Sequence, residues 1–226
     1  MSTPLNTELA RIGQVQAHLP GAVAIAIGIV ALGAAILEDI WLVARYFQTV
    51  VHEAAHATVA SAVGRKVQSV NINRDGSGVT TSSGAGNAGA VVTGVAGYLG
   101  PSGFGLLAAK LIQIGHSVAV VWLGIVLLLC MLVVTRKFFG VFTVLVCGAL
   151  LLVVAIGTSV EAQVVVAYAV AWFLLVSGVV VIRRHGTNAA DAHILRGRTR
   201  VPNLFWSLLW HLGALAALAY GAVLLV

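Results

Sequence analysis

Apolar residues fall along this chain in long blocks divided by short polar breaks, not at the spaced positions of a surface helix. The first block covers residues 20–37 and stops at Glu38 and Asp39. The second, 41–63, is interrupted by Arg45, His52, Glu53 and His56. Further blocks follow at 90–114, 117–134, 138–157, 164–182 and 202–226. Each approaches the ~20 residues that an α-helix needs to cross a hydrocarbon core. The pattern predicts about seven transmembrane helices (six to eight) in an all-α polytopic membrane protein. The first block is long for the apolar part of a signal peptide and more spans follow it, so it reads as a retained helix.

Between the second and third blocks the period changes. Residues 66–81 alternate apolar and polar, with Val67, Val70, Ile72 and Val79 set among polar neighbours and Asp75-Gly76 as a turn signal. That predicts a short β-hairpin at the membrane surface. A Ser/Gly-rich connector leads on to residue 89. Residues 97–105 hold Gly97, Gly100, Gly103, Gly105 and Pro101, which reads as a broken helix or re-entrant turn. The whole chain, 1–226, is expected to form one membrane-embedded domain. Its polar tail is 1–19, its hairpin and connector 64–90, and its late basic segment 183–201.

Composition excludes the other broad classes. Of 226 residues, 60% are hydrophobic and 9% charged, and mean hydropathy is +1.02. Soluble domains have about 45–50% apolar and about 25% charged residues. Disorder needs low hydrophobicity. Cys130 and Cys147 lie inside apolar blocks, so no disulfide framework or cysteine zinc site is on offer. The net charge of +6 fits topology better than nucleic acid, which is not expected as a partner. If seven spans alternate and 183–200 is cytoplasmic, Arg11, Arg65, Lys66, Arg74, Arg136 and Lys137 share that side. Glu38, Asp39 and Glu161 fall opposite, and 11 of 13 basic residues lie inside. The expectation is a multi-pass cell-membrane protein with a cytoplasmic N-terminus. Arg183, Arg184, Arg196, Arg198 and Arg200 are then expected to meet anionic lipid headgroups.

The sharpest chemical signal is His52-Glu53-Ala54-Ala55-His56. Residues i and i+4 share a helix face, so both imidazoles can reach one metal ion, and zinc suits them. Glu53 beside them is placed to take a proton from an activated water. Ionisable residues inside a membrane helix are costly and default to function. A third ligand is needed. Asp191, just before the last apolar block, is the first choice, with His185 and His193 as alternatives.

These stretches resemble the site-2 protease family, and within it the compact bacterial branch. The resemblance rests on 49–57 around the histidines, 75–80 (Asp-Gly-Ser-Gly-Val-Thr), 96–101 (Ala-Gly-Tyr-Leu-Gly-Pro) and 191–195 (Asp-Ala-His-Ile-Leu), followed by Pro202. It implies His52, His56 and Asp191 as zinc ligands, with Glu53 as catalytic acid and base. It also implies cleavage of a peptide bond in or near the transmembrane helix of a membrane-anchored protein substrate. Better-known relatives carry Asn-x-x-Pro and Leu-Asp-Gly around the late aspartate. Here Asn188 and Asp191 stand in Thr187-Asn188-Ala189-Ala190-Asp191-Ala192, and Asn188 is the expected substrate-orienting residue. The hairpin is expected to hold an unwound substrate by strand addition, with Val70 and Ile72 as contacts.

Rival readings are weaker. Gly100-Pro101-Ser102-Gly103 matches the G-x-S-G of rhomboid-type serine proteases, with His211 as base. In this composition chance produces that motif roughly thirty times as often as H-E-x-x-H. A non-enzymatic metal transporter or an inactive scaffold is the alternative from another class. A transporter would spread its polar residues over several spans, whereas these sit in one. Gly84–Gly89 matches G-x-G-x-x-G but lacks the acidic residue a dinucleotide site requires.

Overall fold

The computed structural model describes residues 10–226; residues 1–9 of the polar tail lie outside that range. The elements in chain order begin with α1 (Gly21–Ile36), α2 (Glu38–Ala62), β1 (Lys66–Ile72) and β2 (Gly78–Ser83). They continue with α3 (Gly86–Gln113), α4 (Ser117–Val134), α5 (Phe138–Gly157) and α6 (Val160–His185). A 3₁₀ turn, Gly186–Asn188, leads into α7 (Ala190–Thr199) and α8 (Asn203–Leu225). The protein is an all-α polytopic membrane fold carrying one small antiparallel sheet.

Five helices (α3, α4, α5, α6 and α8) are long and apolar enough to cross a membrane. The first two apolar blocks do not add two more crossings. They form a pair bent by 96° at Leu37 and count as one span at most. Arg45, His52, Glu53 and His56 lower the apolarity of α2, and the bend carries that helix across the bundle.

This elbow changes which residues share an end of the molecule. Arg184 at the close of α6 pairs with Glu38 at 3.0 Å and donates to the Ala35 carbonyl, so Glu38 belongs at the α6–α7 end. The tail belongs at the other end. Gln16 N–H donates to the Gly115 carbonyl, and its side-chain oxygen accepts from Val118 N–H. The charge of Arg11 reaches Glu161 at the start of α6. Arg11 therefore sits opposite the basic segment, and Glu38 beside it, which corrects the seven-span topology. The charge asymmetry survives: of 13 basic residues, all but Arg11 and Lys110 stand toward the α6–α7 end.

α6 forms the spine, with 61% of its apolar window buried against 22% for α5, which shows most of its surface to lipid. α3 packs on α2, α6 and α8. It is unbroken despite Pro101, contrary to the expected re-entrant turn. Proline removes one helical N–H, and packing on three sides holds the helix through that gap.

The hairpin forms where the alternation placed it, with Val70 opposite Thr80 and Ile72 opposite Gly78. It is seated more deeply than a surface hairpin. Val70 and Ile72 are fully buried against Val50, Ala54, Leu128, Met131 and Val144. At the tip, Asp75 accepts from the backbone N–H and hydroxyl of Ser77. Those bonds hold its carboxyl below the usual carboxylate range.

Candidate metal centre

Helical spacing puts His52 and His56 one above the other on α2, with ring centroids 4.8 Å apart. Asp191 comes from the first turn of α7, which is anchored through buried Ala192 and Leu195 against Tyr98, Trp206 and Trp210. The three candidate ligand atoms form a near-equilateral triangle. His52 Nε2 to His56 Nε2, His52 Nε2 to Asp191 Oδ2 and His56 Nε2 to Asp191 Oδ2 are each 3.2 Å.

The tautomer of His56 decides how that triangle is read. Its Nδ1 lies 2.7 Å from the Thr93 carbonyl, an acceptor only, so Nδ1 carries the proton and donates it. In the neutral ring Nε2 is then a lone pair. It faces a carboxylate oxygen and a second imidazole nitrogen, and such a convergence calls for a cation. Metal-bound histidines characteristically donate their second N–H to a carbonyl in this way. In a tetrahedral zinc site, bonds of ~2.0–2.1 Å put ligand atoms roughly 3.3 Å apart, close to the observed edges. Asp191 stands in the first turn of α7, whose N-terminus favours the charged carboxylate.

Space is provided from α3. A methyl group at Gly97 would stand against His56 Nε2 and 2.5 Å from His52 Nε2, filling the volume that an ion shared by both nitrogens needs. Tyr98 meets the His52 ring edge-on at 4.8 Å, lies against Trp210 and bonds through its hydroxyl to His185 Nδ1 at 3.0 Å. His185 is thus engaged with Tyr98, and His193 with Asn203. Neither joins the cluster, which Asp191 completes.

Glu53 is buried beside the triangle. Thr80 Oγ1 donates to its Oε2 at 2.6 Å, while Oε1 lies against Gly78, where any side chain would collide with it. No partner holds Oε1 among the described residues. A cavity of about 680 Å³ opens onto these groups, lined by β2, Asn188 and Tyr98 among others.

Two expectations change at this point. Val70 and Ile72 point into the core, and the Val70 carbonyl accepts from Arg136 N–H at 3.1 Å, so β1 offers neither side chains nor that part of its edge to the cavity. The strand lining the cavity is β2, whose only sheet partner among the described residues is β1. Ser102 is buried against Gly178 with an unpartnered hydroxyl, and His211 Nδ1 bonds the Ser207 carbonyl. The serine and histidine form no pair. Sequence reasoning assigned no role to Thr80, Gly78, Thr93 or Gly97. For Gly97 a signal was available in glycines at 94, 97, 100 and 103, a three-residue stripe that marks a closely approached helix face.

The fold and the cluster define a multi-pass membrane protein with a candidate metal site in its bundle. Residues 22–221 match the family model described as Peptidase M50B-like, and the chain belongs to that family. It is accordingly a member of a metallopeptidase family. No curated protein and no solved structure shows a match.

Proposed function

We propose that the protein is an intramembrane zinc metalloprotease of the site-2 type, hydrolysing a peptide bond in or near the transmembrane segment of a membrane-anchored substrate. The observation that carries this reading is the set of lone pairs converging from His52, His56 and Asp191, with the carboxylate of Glu53 alongside. His52, His56 and Asp191 hold the zinc ion, which when bound supplies Lewis-acid activation of water at neutral pH. Glu53 moves the protons. With Oε2 fixed by Thr80, Oε1 accepts a proton from the attacking water and returns it to the amide nitrogen as the C–N bond breaks. The unpaired edge of β2 holds the unwound substrate extended, and Asn188 orients it from the opposite wall. The α6–α7 end, rich in arginine, faces the cytoplasm and its anionic lipids. The tail then lies on the other side.

Metal content of the detergent-purified protein tests this directly. Wild type and Glu53→Gln should each hold about one zinc, while His56→Ala and Asp191→Ala lose it. Cleavage of membrane-anchored peptides should disappear in all three variants. A wild type without metal, or an Asp191→Ala protein that keeps it at full affinity, would overturn the ligand set.

A further inference from the structure

The cavity wall formed by α2 carries more than the metal cluster. Arg45, Thr49, His52, Glu53 and His56 all face the cavity, since they recur at helical spacing on one side of the helix. Arg45 lies two turns before His52, and its surroundings fix it in place. Tyr46 hydroxyl donates to the Arg74 carbonyl and Thr49 Oγ1 to the Gly76 carbonyl at 2.7 Å, so the hairpin tip is pinned to the turn of α2 that follows Arg45. Gly76 has φ +78°, and a Cβ there would come 2.8 Å from Arg45 Nε. The stem of the arginine is thus clamped beneath the tip backbone.

The charge so clamped has no anion to meet. Arg45 Nε is buried without a hydrogen-bond partner, and no carboxylate lies within 4.0 Å of the guanidinium among the described residues. Its guanidinium meets only the Tyr46 ring, 5.5 Å from Cζ to the ring centroid, whereas the other arginines lining the cavity have hydrogen-bond partners. Arg184 is taken by Glu38 and Ala35, Arg65 by Ser82 and Gly84, and Arg198 contacts Asn87. The nearby Asp75 directs its Oδ1 to Ser77 and reaches Arg45 only through its field. A guanidinium with unused donors in a partly desolvated cleft is built to receive a carboxylate.

We propose that Arg45 forms an acidic-residue subsite, selecting substrates that carry an Asp or Glu side chain about three residues from the scissile bond on the hairpin-tip side. This rests on the protease reading above. Seven residues of helix separate Arg45 from His52, roughly 10 Å at 1.5 Å per residue. An extended substrate advances ~3.3 Å per residue, which sets the spacing at about three. A substrate strand lying along β2 would pass from Glu53, beside Gly78 and Thr80, toward the Gly76 tip where Arg45 waits.

The test is binding, which needs no turnover. Dye-labelled peptides with an apolar anchor and a single Glu, Gln or Lys at successive positions are titrated against full-length Glu53→Gln protein in zwitterionic nanodiscs. At one position Glu should bind about tenfold more tightly than Gln. In Glu53→Gln/Arg45→Glu the preference at that position should pass to Lys, and Glu53→Gln/Arg45→Lys should keep part of the acidic preference. Each comparison is made within one preparation, so a general loss of fold cannot imitate the exchange. Equal affinities at every position, or a Glu preference unchanged by Arg45→Glu, would overturn the subsite. So would a response to Arg45→Glu that appears only with anionic lipid, which would mark the arginine as a headgroup contact. Failure of wild type to cleave any bound peptide would count against the protease reading and leave the binding ratio intact.

Discussion

The two helices that face each other across the metal cluster contribute in opposite ways. α2 acts through what it presents: His52, Glu53 and His56 on one face. α3 acts through what it lacks, a side chain at Gly97, and through a backbone carbonyl at Thr93. A motif search reads the first kind of wall and is blind to the second. The contrast also explains the fate of the serine motif. Ser102 and His211 are functional residue types without a facing wall to join them, so the serine ends against Gly178 and the histidine against its own helix.

Substitutions can set one wall against the other. The largest effect is expected from Gly97→Ala, a change that adds one methyl group on the helix facing the two histidines. Alanine is favoured over glycine in a helix by ~1 kcal/mol, so α3 should stay helical although the methyl crowds both histidines. Metal affinity should nevertheless fall by at least about a hundredfold, close to the loss in His56→Ala. Zinc titration with circular dichroism on the same sample checks both halves. Full metal binding in Gly97→Ala would mean that α3 only fills space.

A smaller effect is expected where the hairpin meets α2. Thr80→Val keeps the shape and removes the hydrogen bond to Glu53 Oε2. Zinc should remain bound while kcat falls about tenfold, as expected when a proton-transferring carboxylate loses its orientation. Unchanged kcat would remove Thr80 from the mechanism. The smallest effect belongs to Glu38→Gln at the elbow. Glu38 is largely open to solvent and Arg184 keeps its bond to the Ala35 carbonyl, so loss of the pair should cost at most about 1 kcal/mol, read as a slight drop in Tm with zinc unaffected.

How much of this was legible in the sequence follows from the range of each interaction. Apolar blocks report what tolerates lipid, so the crossing helices and the break at Glu38 were readable. They carry no direction, and the 96° turn into α2 was not. His52 and His56 are four residues apart, and one helical period joins them. Asp191 reaches His56 across 135 residues of chain, a contact that local pattern can only nominate. The hairpin shows the same limit. Alternation gave Val70 and Ile72 a common face. It did not say that this face would be spent on the core, leaving β2 to line the cavity.

Thr93 and Gly97 are one turn apart on α3, and that turn serves His56 twice, once as acceptor and once as vacant volume. Together they make a gauge with a very fine tolerance. A helix advances 1.5 Å and rotates 100° per residue, so a slip of α3 by a single residue would swing the carbonyl off the imidazole and bring Ala96 or Tyr98 toward the gap. The centre is therefore tuned by the axial register of two helices. Just past the far end of α3, Gln16 of the tail docks beside Gly115, and a force there that slid the helix along its axis would misalign the candidate ligands without touching any of them.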